Sequence, residues 1–139
     1  VDVAETSIAL AKENATRNQV EAEWLVSDLF TEVKGEFDVI VSNPPYVPTA
    51  VMAEIPQEVA AFEPALALEG GADGLDVFRR EIEWCRQALR PGGGCAFELH
   101  ETCLDEAASL ARAAGFVDVR IVADLAGRPR VLTARKPEC

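Results

Sequence analysis

Hydrophobic positions along the chain recur at two periods, and each change of period marks a new element. Leu75, Phe78, Ile82, Cys85 and Leu89 follow one another at helical spacing, which puts all five on one face of a helix that Pro91-Gly92 ends. A second helix is predicted from about Ser7 to Asn18, with Ile8, Ala11 and Ala15 on one face and Thr6 or Ser7 as its cap. A third is predicted after Thr102, which can cap it with Asp105 three residues on, and Gly115 closes it. Strand patterns fall on Glu23–Val26, Phe37–Val41, Cys95–Leu99, Val117–Val122 and Val131–Ala134, and Val1-Asp2-Val3 resembles the end of another. The Phe37–Val41 run is largely apolar and so reads as buried on both faces. Between Val47 and Asp73 the pattern breaks down, over a stretch far longer than the ~4–6 residues of an ordinary connection. Strand and helix alternate almost throughout, the mark of an α/β layered sheet, and the last two strands are close enough to pair antiparallel across the Gly127-Arg128-Pro129 turn.

Composition narrows the class. The 139 residues suit one domain, and 49% hydrophobic residues supply a core. Acidic residues outnumber basic ones by 24 to 13, a net charge of -11, which disfavours a surface that tracks nucleic-acid phosphates; no direct DNA binding is expected. Cys85, Cys95, Cys103 and Cys139 form no C-x-x-C pair and His100 is the lone histidine, so no metal site is expected and the thiols read as reduced. No apolar run approaches the ~20 residues that span a bilayer, and the first residues lack the order of a signal peptide, so a soluble, cytoplasmic protein without membrane contact is expected.

Ligands of open α/β sheets bind beyond the carboxyl ends of the strands. Three predicted strands end there in polar groups: Asp2, Ser27-Asp28, and Ser42-Asn43-Pro44-Pro45-Tyr46. Asp2 stands where a nucleotide-binding sheet places a carboxylate for ribose hydroxyls, and equally where any acid near a helix start would sit. Asp28 reads as an acceptor for an adenine amino group or as a solvated turn residue. Asn43-Pro44-Pro45-Tyr46 is more specific. Two prolines fix the backbone so that the Pro44 carbonyl and the Asn43 side-chain oxygen present two acceptors to one substrate –NH2, with Tyr46 packed against the planar group that bears it. Gly92-Gly93-Gly94 follows a helix and reads as a turn, while Gly70-Gly71 and Gly74 read as a loop that permits close backbone approach rather than a phosphate site. His100 reads as a surface turn residue rather than a base, and Trp24 and Trp84 as packing residues.

Together these stretches resemble the S-adenosylmethionine-dependent methyltransferases with an Asn-Pro-Pro-Tyr motif, and among them the HemK/PrmC protein-(glutamine-N5) methyltransferases that modify peptide release factors. Along with Asn43-Pro44-Pro45-Tyr46-Val47-Pro48, the resemblance rests on Asp2 with Ala9–Ala15, on Ser27-Asp28-Leu29-Phe30 and on Phe62-Glu63-Pro64-Ala65-Leu66-Ala67-Leu68. It extends through Gly70-Gly71-Ala72-Asp73-Gly74-Leu75-Asp76 and Asp124-Leu125-Ala126-Gly127-Arg128-Pro129-Arg130. It implies a Rossmann-like class I methyltransferase fold, a mostly parallel sheet with an antiparallel C-terminal strand, with residues 1–139 forming one partial catalytic domain. It further implies S-adenosylmethionine as cofactor, held by Asp2 on the ribose, Asp28 and Leu29 at the adenine, and Asn43. Asn43, Pro44, Pro45 and Tyr46 would hold the glutamine amide of a release factor's Gly-Gly-Gln loop, with Asn43, Pro44 and Tyr46 as the catalytic set.

The family's Gly-rich cofactor loop should precede Val1, so the chain resembles the C-terminal part of a longer enzyme, inactive alone and open to self-association through exposed strand edges. It departs from the family at His100-Glu101-Thr102-Cys103, where a Gly and a Gln are common. Two alternatives remain: an RNA or DNA amino-methyltransferase, and a catalytically silent module that keeps the fold for binding.

Overall fold

In the computed structural model, which describes residues 1–52 and 65–138, Leu75, Phe78, Ile82, Cys85 and Leu89 are all buried; Phe78, Ile82 and Cys85 form the inner face of a helix over Asp76–Ala88, with Leu75 at its N-cap and Leu89 opening the strand that follows. The described residues divide into two compact units, Val1–Gly35 and Glu36–Cys139.

The first unit holds helix α1, Glu5–Arg17, with Ile8 buried and Ala11 and Ala15 half-buried on the expected face. Neither Thr6 nor Ser7 caps it. The N-cap is Ala4, without a side-chain cap, because the Asp2 Oδ1 accepts the Ala4 N–H at 2.8 Å and turns the chain into the helix earlier. The expected strand at 23–26 reduces to one parallel bridge between Asp2 and Val26, in which Asp2 N–H donates to the Leu25 carbonyl and Ser27 N–H to that of Asp2. Within this unit its bridge partner is Asp2 of the Val1–Val3 segment.

The second unit is built on a sheet of order β1-β2-β4-β3, where β1 is Phe37–Ser42, β2 Leu89–Glu98, β3 Val117–Ala123 and β4 Pro129–Arg135. β1 and β2 run parallel; β4 lies antiparallel between β2 and β3, so the last two strands pair as their short connection requires. The short helices α2, Thr49–Met52, and α3, Ala65–Leu68, follow β1, and Phe62-Glu63-Pro64 of the sequence motif lies outside the described residues. The long helix α4, Asp76–Ala88, and helix α5, Leu104–Ala113, complete the unit.

Three expectations change in this unit. β1 is not buried on both faces: Ile40 packs on the core, but Val39 and Val41 are 66% and 74% exposed, because α4 and α5 enclose a core on one face only. The glycine run 92–94 falls inside β2 rather than forming a free turn. Phe37 pairs with Leu89 and Val39 with Gly94, so the residues between Leu89 and Gly94 bulge out, and Gly92 takes a φ of +76° at the bend. The N-cap of α5 is Cys103, not Thr102. Its other end follows expectation: Gly115, at φ +86°, donates to the Arg112 carbonyl and Phe116 to that of Ala111, the paired hydrogen bonds of a left-handed helix stop.

The core lies between β2, β4, α4 and α5. Phe78 of α4 meets Phe97 of β2 edge-to-face at 5.0 Å, and Leu75, Leu99, Leu104 and Leu132 close around them. Replacing Phe78 with Ala removes one half of this contact and leaves a cavity. Urea denaturation of F78A should show a loss of about 3–5 kcal/mol, with the far-ultraviolet spectrum at zero urea retained.

Candidate functional site

β1 delivers the Asn43–Tyr46 segment to the carboxyl edge of the sheet. The last ladder pair is Ser42 with Phe97, and the two prolines that follow Asn43 have no N–H to continue it. Asn43 is exposed, Pro44 buried, and Pro45 and Tyr46 half-buried.

The segment is held from three directions. On one side Val47 N–H donates to the Leu68 carbonyl and Gly70 N–H to that of Val47, both at 2.8 Å, and Thr49 N–H reaches the Gly71 carbonyl at 2.9 Å. The backbones are so close that a Cβ on Gly70 would lie 2.7 Å from the Tyr46 Cα and one on Gly74 2.4 Å from the Tyr46 carbonyl oxygen. Close backbone approach is therefore what these glycines provide, as the sequence suggested, and Gly74 also needs its φ of +78°. Asp73, held down at about 2 chiefly by its hydrogen bonds to Arg79, accepts the Leu75 N–H and leads the chain into α4.

Beneath the segment, Ser42 Oγ donates to Glu81 Oε1 at 2.8 Å. Glu81 is buried, its Oε2 has no partner among the described residues, and burial pushes its carboxyl above the usual range. Buried free thiols, Cys85 and Cys95, belong to the same core.

On the third side, Tyr46 Oη donates to Glu98 Oε1 at 3.3 Å, and the His100 ring lies 6.5 Å from the Tyr46 ring, centroid to centroid. Burial, then the Glu98 charge, raises the Tyr46 phenol, while Arg130 acts in the opposite sense. Arg130 is held by Asp124 at 3.8 Å, and the Asp124 carboxylate also accepts the backbone N–H groups of Ala126 and Arg128. Those backbone bonds, that of Arg128 foremost, hold Asp124 below the usual range. Val41, Ser42, Asn43, Ala96, Glu98 and Val131 line a shallow depression beside the segment.

In the first unit, the Asp2–Val26 bridge sets Asp2 and the Ser27-Asp28 segment at neighbouring strand ends. Buried Ser27 accepts the Glu32 N–H and meets the Thr31 hydroxyl, which shapes the turn after it. Leu29 sits in that turn with a φ of +52°, a conformation few non-glycine residues adopt.

His100 is half-buried rather than a plain surface residue, and its Nδ1 engages the Thr102 hydroxyl at 2.8 Å, which takes Thr102 away from the helix cap. Glu81, Glu98 and Arg130 were not singled out from the sequence. Glu81 had a signal, since it falls three residues after Phe78 on the apolar face of α4, where an acid is anomalous. Glu98 had one too: Phe97 and Leu99 point inward, so the acid between them ends a strand on the opposite face.

Glu81 also sets a pH dependence. Its folded-state value is raised, so its contribution is most favourable below the unfolded value of about 4.5 and is lost as pH rises through the folded one. Glu81→Gln removes that titration. The stability of E81Q relative to the parent should therefore increase between pH 4 and pH 7 in parallel denaturant melts, and a constant difference would contradict the burial argument.

Residues 1–65 match the family model for the methyltransferase small domain. Over 98% of its length the chain is 39% identical to the release factor glutamine methyltransferases of Rhodospirillum rubrum and Cereibacter sphaeroides, of which it covers 42% and 50%. It thus spans about half the length of the curated relatives it matches. Among solved structures, a methyltransferase from Pyrococcus furiosus superposes with a TM-score of 0.70 at 21% identity, over 96% of this chain and 59% of that one. The fold is that of a class I methyltransferase, and the sequence is similar to about half the length of release factor glutamine methyltransferases.

Proposed function

We propose that this chain carries the acceptor side of a release factor glutamine methyltransferase, which moves a methyl group from S-adenosylmethionine to the side-chain amide nitrogen of the glutamine in a Gly-Gly-Gln loop. The observation that carries this reading is the Asn43–Tyr46 segment: an exposed amide followed by a backbone braced by glycines, by Glu81 through Ser42, and by Glu98 through Tyr46. A carboxamide nitrogen is a poor nucleophile because its lone pair is delocalised. Two fixed acceptors, the Asn43 side-chain oxygen and the Pro44 carbonyl, would take its two N–H bonds, orient the nitrogen and favour charge build-up on it, and Tyr46 would pack against the amide plane. Such a site works by alignment and needs no strong base.

Residues of the first unit suit part of the cofactor: Asp2 and the Ser27-Asp28 segment stand at adjacent strand ends, where their carboxylates would accept from ribose hydroxyls and an adenine amino group, with Leu29 in the turn that follows. Bound there, S-adenosylmethionine supplies an electrophilic methyl group on a sulfonium. A net charge of -11 weighs against nucleic acid as the acceptor. No helix among the described residues is long and apolar enough to cross a membrane, and a cytoplasmic location goes with a substrate from the translation machinery.

With a full-length enzyme that carries this chain, radiolabelled S-adenosylmethionine, and release factor, transfer RNA and DNA offered in parallel, label should appear in the release factor alone. Asn43→Ala should reduce it by about 10²–10³-fold with the circular dichroism spectrum unchanged. Label in nucleic acid would overturn the substrate. Self-association belongs to the same proposal: within its sheet β1 pairs only with β2, and Val39 and Val41 stand exposed on it, so sedimentation velocity should show a dimer growing in with concentration.

A further inference from the structure

Tyr46 carries a phenol for which the methyl transfer itself has no use. Its Oη donates to Glu98, and the two residues are brought together by long-range packing: Glu98 is the last residue of β2, fixed by fully buried Phe97 before it and Leu99 after it. The Leu99 N–H in turn donates to the Arg130 carbonyl at 3.0 Å, which registers Arg130 of β4 beside the same strand end. Arg130 and its partner Asp124 are each only 22% exposed in their side chains, and Asp124 is tied by backbone N–H groups, so the guanidinium is not free to wander. Among the described residues, the charged and titratable groups that act on the phenol or face its ring are Glu98 of β2, His100 just beyond it, and Arg130 of β4, itself paired with Asp124.

We propose that Glu98, opposed by Arg130, is a positioning residue that fixes the Tyr46 ring at the Asn43–Tyr46 segment. The inference rests on the acceptor-site reading above and adds to it two residues with opposite roles. With its proton committed to Glu98, the phenol oxygen has only lone pairs to offer toward a substrate, and the ring keeps one face in place against an amide plane. Arg130, paired with Asp124, acts on the phenol in the sense opposite to Glu98.

Tyr46 is the only tyrosine in the chain, so phenolate absorbance of the 139-residue protein reports on it alone. Burial and Glu98 raise its titration midpoint and Arg130 lowers it. Glu98→Gln keeps an acceptor but removes the charge, and should move the midpoint down; Arg130→Met should move it up. Opposite shifts are the discriminating result, because mere loosening of the pocket would expose the ring and move both variants down. An unmoved midpoint in E98Q, or a downward shift in both, overturns the proposal. If alkaline pH unfolds either variant, as circular dichroism would show, a ring-fluorinated tyrosine brings the titration closer to neutrality and the same two directions decide. In the methylation assay E98Q should lower kcat with little change in KM for release factor, and an unchanged kcat would also overturn the positioning role. If a full-length enzyme that carries this chain methylates no release factor, the substrate reading fails while the titration still decides what holds Tyr46.

Discussion

Two backbone segments nearly thirty residues apart pass at Tyr46 with no room for a side chain between them, and much of the second unit is organised by that contact. A Cβ at Gly70 or Gly74 would fall on the backbone of Pro45 and Tyr46. With glycine there, Val47, Thr49 and Gly70 exchange hydrogen bonds across the gap and the Asp76 N–H reaches the Gly70 carbonyl, which sets the start of α4. From that start the helix carries Phe78 into the core and Glu81 to Ser42, immediately before the motif. The core in turn fixes β2, whose last residue holds Tyr46. The contacts close a ring: motif to glycine loop, loop to helix, helix to core, core to strand, strand to motif.

That ring explains a buried acid which would otherwise be a defect. A carboxyl group on the apolar face of α4 costs desolvation, and one of its oxygens has no partner among the described residues. Aliphatic side chains at the same position would pack at lower cost but would leave the Ser42 hydroxyl unpaired at the end of β1. The protein accepts the penalty where the strand meets the motif, as expected of a site that trades stability for geometry.

Local features were legible in the sequence, and features set by distant partners were not. The apolar face of Phe78, Ile82 and Cys85 and the Gly115 helix stop depend on residues within a turn or two, and both appear as read, although the helix gives way to a strand at Leu89, ahead of the expected stop at Pro91-Gly92. The exposure of Val39 and Val41 depends on which face of the sheet the helices cover, which an apolar run cannot reveal. The glycine bulge in β2 depends on register against β1, fifty residues away. Thr102 lost its capping role to a competing histidine two residues back, a contest between two local options that sequence alone leaves undecided. At the site, Asn43 and its prolines announced themselves by composition, whereas Glu98 and Arg130 matter because β2 and β4 are neighbours, a fact of topology.

Each brace on the Asn43–Tyr46 segment comes from within residues 36–139: Gly70, Gly74, Glu81, Glu98 and Arg130 all belong to the same unit. The ordering entropy of the segment is therefore met when that unit folds rather than when a substrate arrives. Under the acceptor-site proposal, an entering amide would give up its own freedom without having to organise the backbone that receives it, and the difference would appear in the barrier rather than in affinity. For a nucleophile as weak as a carboxamide nitrogen, a backbone already held in place by folding is what the acceptor-site proposal asks of this chain's own residues.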